Sequence, residues 1–262
     1  MISSSCERMR GLRVVLYLLP MFLTAGVDVI AANAESSRFH AAVPGIAHTT
    51  FHIQQQDTEP FSGHAFKIDL DVVELRLIPA GGPTARRRVA EIVTPYGAVV
   101  AVNASFFDTE GRTMGLAVDD GQLIAKGRRQ SWGTLVIDDK KARIVLGADV
   151  NDPLAYRLVV QGLPRLVVEG KVQPLKPQLA ERTAVCAEGN TVVLVVTTKV
   201  ETTAFARFLA SPLDKEGLGC RDALNLDGGP STQLVVRLPT LALSLPGGWG
   251  VPNALVVTPR RK

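Results

Sequence analysis

Aromatic residues make up only 5% of this 262-residue chain, too few for a carbohydrate-binding module built on rows of exposed Trp and Tyr. Blocks of one charge are also short. The 29 basic and 25 acidic residues leave a net charge of +4. The basic clusters Arg86-Arg87-Arg88 and Arg260-Arg261-Lys262 read as solvated faces, so no nucleic-acid partner is expected. Hydrophobic residues at 46% and charged residues at 21% are ordinary globular values, which exclude disorder and coiled coil as the main state. The four histidines, His40, His48, His52 and His64, lie early in the chain. His48 and His52 would share one face of a strand about two pleats apart, a poor chelate, and read as ordinary surface or core residues. There is no GxSxG elbow, GxxxxGK[ST] loop, GxGxxG or HExxH, which removes weight from common serine hydrolases, nucleotide kinases, dinucleotide oxidoreductases and zinc proteases.

Residues 1–34 read as a secretory signal. Arg8, Arg10 and Arg13 precede an uncharged, mostly apolar run over 14–27 that Asp28 closes, and Ala32-Asn33-Ala34 fits a small-x-small cleavage site before Glu35. The run is short for a bilayer span; an uncleaved anchor is the alternative. The expectation is an exported protein, periplasmic or extracellular, with no stable membrane span after signal removal. Of three cysteines, Cys6 falls within the signal, leaving Cys186 and Cys220. In an oxidising compartment they are either a disulfide or two buried thiols.

The rest reads mainly as strands. Over 65–79, Phe66, Ile68, Leu70 and Val72 alternate with Lys67, Asp69 and Asp71, which predicts one buried and one wet face. The run 98–102 is wholly apolar and predicts an interior strand. Hairpins are predicted around Asp119-Asp120-Gly121, around 138–141 and around Glu188-Gly189-Asn190. Thr84 is placed to cap a short helix through Val89, Ile92 and Val93. The clearest helix covers 202–210, with Phe205, Phe208 and Leu209 on one face and Pro212 beyond its end. The predicted fold is α+β, with strand-rich mixed twisted sheets and few helices in a single domain. Its divisions are an N-terminal extension and first strand over 35–59, a main body over 60–258 and a basic tail over 259–262.

Two segments share a pattern in which an apolar strand runs into a polar turn. The first is Val102-Asn103-Ala104-Ser105-Phe106-Phe107-Asp108; the second is Leu224-Asn225-Leu226-Asp227-Gly228-Gly229-Pro230-Ser231-Thr232. Each sets an Asn and an Asp where a rigid strand end can aim them into a cleft. Paired carboxylates divide acid and base or nucleophile roles at an anomeric carbon. Gly228 and Gly229 let backbone N–H groups approach an anion, and Ser231 and Thr232 add hydroxyl donors. The alternative is two turns in which each Asp bonds its own backbone.

These segments, together with Gly115-Leu116, Asp120-Gly121, the stretch Gln161-Gly162-Leu163-Pro164-Arg165-Leu166-Val167, the strand Arg182-Thr183-Ala184-Val185 and the closing Val251-Pro252-Asn253-Ala254-Leu255, resemble the phosphodiester glycosidase family over about residues 60–258. Trp249-Gly250 stand where the family pattern carries a basic residue, which puts the substrate-charge contact there in doubt. The resemblance implies hydrolysis of a glycosyl phosphodiester, a sugar-1-phosphate diester, to free sugar and a phosphomonoester. It also suggests a place in envelope polysaccharide metabolism. On it, Asp227 is expected as nucleophile or general base, and Asp108 as second carboxylate. Arg182 is expected as a phosphate clamp, because a guanidinium binds two oxygens at once. Asn103, Gln161 and Asn225 would orient substrate, and Gly228, Gly229, Ser231 and Thr232 would hold phosphate. The residues establish no cofactor with certainty; a divalent cation such as Ca²⁺ is the candidate, with Asp108 and Asp227 as its candidate ligands. The expected partner is a small-molecule or glycan phosphodiester. A non-catalytic secreted protein that binds phosphorylated glycans is the alternative function.

Overall fold

The computed structural model describes residues 39–54, 59–127 and 129–260. The expected signal segment with Cys6, and the tail residues Arg261 and Lys262, lie outside the described residues.

The strands run β1 (His40–Val43), β2 (Ile46–Ile53), β3 (Phe61–Asp69), β4 (Val73–Pro79), β5 (Val100–Asn103) and β6 (Leu116–Asp119). They continue as β7 (Gln122–Lys126), β8 (Gly133–Asp138), β9 (Lys141–Leu146), β10 (Leu158–Gly162), β11 (Arg165–Val168) and β12 (Lys171–Val172). The last are β13 (Leu179–Glu188), β14 (Thr191–Glu201), β15 (Ala223–Asn225), β16 (Leu234–Leu238), β17 (Leu241–Leu245) and β18 (Asn253–Pro259), with helices α1 (Val89–Val93) and α2 (Thr202–Ala210). They form three sheets, ordered β1-β2-β3-β14-β13-β15-β11-β12, β7-β6-β10-β8-β9 and β17-β16-β5-β18-β4.

At 51% strand and 13% helix, the fold is mostly β rather than α+β. The described pairings are antiparallel rather than mixed. The reason is the connections: tight turns such as those at 120–121, 139–140 and 189–190 join consecutive strands, and a hairpin can only return antiparallel.

The central strands of each sheet are buried on both faces, which explains why so many of them are wholly apolar rather than alternating. In β14, Val192, Leu194 and Val196 enter a central core shared by all three sheets, while Val193 and Val195 enter a second core under α2. In β5, Val100 and Val102 face the central core and Ala101 faces a third core under α1. The period of two thus sorts one apolar run into two cores. Helix α2 seals the second core with Phe205, Phe208 and Leu209. Phe208 packs at 4.5 Å from Phe51 and 5.6 Å from Phe61 between ring centroids; deleting such a ring typically costs about 3–5 kcal/mol.

The Cys186–Cys220 pair is a disulfide with Cα atoms 5.7 Å apart. It ties β13 to the chain entering β15, across this second core. Helix α1 begins later than Thr84 suggested. The chain first turns through an Ala85 N–H to Gly82 carbonyl bond of 3.0 Å and pairs Arg87 with Val251, and Arg88 then takes the N-cap position. Among the described residues no helix is long and apolar enough to cross a membrane.

Candidate active site

The site residues are placed by register. Strands β13 and β15 pair Ala184 with Asn225 and Cys186 with Ala223, and the Leu226 N–H donates to the Thr183 carbonyl at 2.9 Å. That bond carries the contact between β13 and this segment one residue past the end of β15. Leu224 and Leu226 face the central core, whereas Ala184, Cys186 and Ala223 face α2. Alternation then sets Arg182 and Asn225 on the α2 face together, with Asp227 two residues beyond Asn225. On its other side, Asp227 is clamped to the end of β5. Its N–H donates to the Ala104 carbonyl at 3.0 Å, and its carbonyl accepts from Asn103 Nδ2 at 2.6 Å.

Burial holds the Asp227 carboxyl at about 6, up from 3.8, although the Ser231 hydroxyl and the Gly228 N–H both donate to it and act in the opposite direction. The Gly228 N–H lies 3.0 Å from Asp227 Oδ1. The two glycines serve different purposes. A Cβ on Gly228 would stand 2.8 Å from the Glu181 carbonyl oxygen, so a close backbone approach demands glycine there. Gly229 has φ +57°, the left-handed conformation the turn needs. The Gly228 N–H expected at an anion is thus engaged by Asp227 itself.

Arg182 is only 4% exposed. Its Nη2 donates to the Gln178 carbonyl and, at 2.7 Å, to Thr202 Oγ1 at the start of α2. Nε has no partner within the protein. No described ion pair includes this guanidinium; the nearest opposing influence is the Glu201 carboxylate, whose Oε2 caps α2 at 2.9 Å from the Thr203 N–H. Burial pushes the guanidinium down from its usual value. A buried cation with an open donor edge is costly unless an anion completes it. On the same face Asn225 donates to the Leu163 and Leu226 carbonyls at 2.8 and 2.7 Å, and its buried Oδ1 also lacks a partner.

Other expected contacts are taken up within the fold. Asn103 Oδ1 accepts from Thr183 Oγ1 at 2.7 Å and from the Gln233 N–H at 3.0 Å, which makes it a strut between three elements. Gln161 is saturated: Oε1 accepts from the Leu116 and Arg129 N–H groups at 2.9 and 2.8 Å, and Nε2 donates to the Arg129 carbonyl and Thr134 Oγ1 at 2.9 and 3.0 Å. Ser231 is buried, and Thr232 Oγ1 has no partner within the protein. Asp108 closes its own loop. Its Oδ1 accepts from the Glu110 and Arg112 N–H groups at 3.0 and 2.9 Å, and its Oδ2 pairs with Arg112 Nε at 2.8 Å. That side-chain bond above all holds the Asp108 carboxyl below the usual carboxylate range. Among the described residues no contact joins Asp108 to Asp227.

Asp108 and Asp227, the two candidate cation ligands, are not joined by any contact among the described residues. The oxygens of Asp108 are engaged by Arg112 and two amides, and those of Asp227 by a hydroxyl and an amide. Among the described residues no group of three or more His, Cys, Asp or Glu could hold a metal ion. The histidines do meet, in a pairing that spacing alone could not reveal. Strands β2 and β3 bring His48 Nε2 to 3.2 Å from His64 Nδ1. Glu181, beside Arg182, escaped notice because it carries no motif; it lines a cavity with His64 and Thr197.

A buried carboxyl at the end of β15 and a buried guanidinium on the neighbouring β13 thus lie close in the fold, with Gly228 packed against the Glu181–Arg182 backbone. The profile of the phosphodiester glycosidase family matches residues 96–258, and the chain belongs to that family. No curated protein matches the chain in sequence. In fold it is similar to the catalytic domain of zebrafish N-acetylglucosamine-1-phosphodiester alpha-N-acetylglucosaminidase, auto-inhibited by its pro-peptide. That match has TM-score 0.67 and 18% identity, covering 84% of this chain and 86% of that one. It is also similar to a hypothetical protein from Synechocystis, at TM-score 0.67 and 15% identity, covering 85% of this chain and 64% of that one.

Proposed function

We propose that the protein hydrolyses a glycosyl phosphodiester, releasing free sugar and a phosphomonoester. The observation that carries this reading is a buried carboxyl at Asp227, whose neighbour Gly228 packs against the backbone at Arg182, a buried guanidinium with an unpartnered Nε, in a member of a glycosidase family. The buried guanidinium, with its open Nε edge, supplies the charge a phosphate needs. A carboxylate at about 6 is ionised at neutral pH yet basic enough to accept a proton.

In this mechanism a water oxygen attacks the anomeric carbon while its proton passes to Asp227. The bond from that carbon to the phosphate oxygen breaks, and the electron pair leaves with the phosphomonoester. Phosphate departs as a stabilised anion, so the step needs no second carboxylate as acid; this accords with Asp108 being committed to Arg112. The disulfide supports an oxidising compartment, in line with export and with work on envelope glycans.

The test is incubation with UDP-N-acetylglucosamine, whose anomeric carbon already carries a phosphodiester, following free sugar. Release by the wild type and its loss in Asp227→Asn are expected. Saturable binding with no product would overturn hydrolysis in favour of a glycan-phosphate binder. A chelator run in parallel reports on cation dependence.

A further inference from the structure

Beside the turn Gly229–Ser231 that follows Asp227 runs the loop 246–249, and one guanidinium holds that loop. Arg88 stands at the N-cap of α1. Its Nη1 donates to the Pro246 and Gly247 carbonyls at 2.6 and 2.7 Å and lies 3.5 Å from that of Trp249, and its Nη2 donates to the Gly248 carbonyl at 3.1 Å. Four consecutive carbonyls thus curl around one cation. A planar fork with five N–H groups serves that arrangement; an ammonium with three does not match it. The curl needs Gly247, which has φ +59° and whose added Cβ would stand 2.7 Å from the Thr232 carbonyl oxygen.

The loop in its turn grips the chain after Asp227. The Gly248 and Trp249 N–H groups both donate to the Pro230 carbonyl, at 2.7 and 3.0 Å. Buried Gln233 closes the frame: its Oε1 accepts from the Val89 N–H at 2.9 Å, and its Nε2 donates to the Trp249 and Ser231 carbonyls at 2.9 and 3.3 Å. Ser231 is therefore fixed on both sides, through the Pro230 carbonyl before it and its own carbonyl after it. Its N–H donates to the Gly228 carbonyl at 3.2 Å, and its hydroxyl donates to the Asp227 carboxylate. A continuous set of bonds thus leads from Arg88 through loop 246–249 to the two donors on Asp227, Ser231 Oγ and the Gly228 N–H.

We propose that Arg88 is a positioning residue for Asp227: through loop 246–249 it holds the turn 228–231 so that the Ser231 hydroxyl and the Gly228 N–H stay aimed at the carboxylate. Its catalytic consequence rests on the proposed hydrolysis, in which Asp227 is the base; its geometry does not. Among the described residues no contact joins Arg88 to Asp227, so the effect is carried by the loop and the turn. A base displaced from its donors loses both its aim at the attacking water and its proton affinity at the working pH.

The test compares the wild type with Arg88→Met, Arg88→Lys and Glu91→Gln. Glu91 accepts the Arg88 N–H at 3.4 Å at the start of α1 and makes no described bond to the loop, so its variant controls for loosening of the helix alone. Protein labelled with ¹³C at the aspartate carboxyls is titrated by NMR, and the Asp227 signal is identified by its absence from Asp227→Asn. Sugar release from UDP-N-acetylglucosamine is measured beside it. Both donors favour the ionised carboxylate. In Arg88→Met the Asp227 midpoint should therefore rise by about one pH unit, the scale of one lost bond to a charged group. There kcat should fall roughly 10- to 100-fold with KM little changed. Arg88→Lys should recover part of both losses, and Glu91→Gln should match the wild type. A midpoint in Arg88→Met that stays or falls, or an equal rise in Glu91→Gln, would overturn the inference. If Arg88→Met does not fold, Arg88→Lys decides, and a midpoint equal to the wild type's overturns it. The midpoint is read without turnover: a wild type that releases no sugar refutes the hydrolytic reading, while the titration still decides the role of Arg88.

Discussion

Replacing Asp227 with Asn should abolish turnover and at the same time stabilise the protein at neutral pH. Burial holds this carboxyl at about 6 in the fold, against 3.8 for an unburied one. A gap of roughly two pH units, at about 1.4 kcal/mol each, corresponds to about 3 kcal/mol. An acid whose pKa is raised by folding binds more protons folded than unfolded. Its contribution is fully favourable below pH 3.8 and is lost as pH rises to about 6. Above that, the native state carries a buried charge that the unfolded chain would solvate. Asn is nearly the same shape, never ionises and can still accept the Gly228 N–H. The variant and wild type should therefore melt together near pH 4 and separate above pH 6. At roughly 2–4 °C per kcal/mol for a protein of this size, the variant should lie up to about 10 °C higher. Thermal unfolding by circular dichroism from pH 4 to 8 at constant ionic strength, beside sugar release, is the assay. Parallel curves with a constant offset would refute the titration at position 227. A variant less stable at pH 8 would show that the carboxylate is there for structure.

Four further outcomes are expected. The kcat/KM for phosphodiester hydrolysis should rise with pH through about 6, as the Asp227 base ionises; a flat profile would exclude that role. Arg182→Lys keeps the charge but loses the fork, and should cut kcat/KM by roughly 10- to 100-fold. Asp108→Asn should keep most activity, because its oxygens serve Arg112 and two amides; loss equal to that of Asp227→Asn would restore Asp108 to the chemistry. Changing Cys186 and Cys220 together to Ala opens a crosslink spanning 34 residues and should cost about 4 kcal/mol in chemical denaturation.

Local structure was legible at several turns and helix ends that carry a chemical signature. The hairpin at Asp119-Asp120-Gly121 and the helix Thr202–Ala210 stand where the residues place them. The Thr84 cap failed because a turn and the bridge from Arg87 to Val251 take that stretch first. Which face of a wholly apolar strand meets which core could not be read, since Val192 and Val193 look alike until partners arrive. The site divided along similar lines. Arg182 and Asn225 share a face because period-two register carries them there. Asn103 and Gln161 are buried struts, and nothing in a side-chain amide announces whether it will serve a ligand or the backbone. The pairing of His48 with His64 depends on the β2–β3 register, invisible to spacing within one strand.

Strand β13 carries both the crosslink and the buried cation. Substitutions along it can be graded, but a one-residue insertion or deletion between Cys186 and Arg182 would turn the guanidinium from the α2 face into the apolar central core, where a charge is costly. The disulfide at Cys186, four residues away, fixes the strand close to where such a slip would be most damaging.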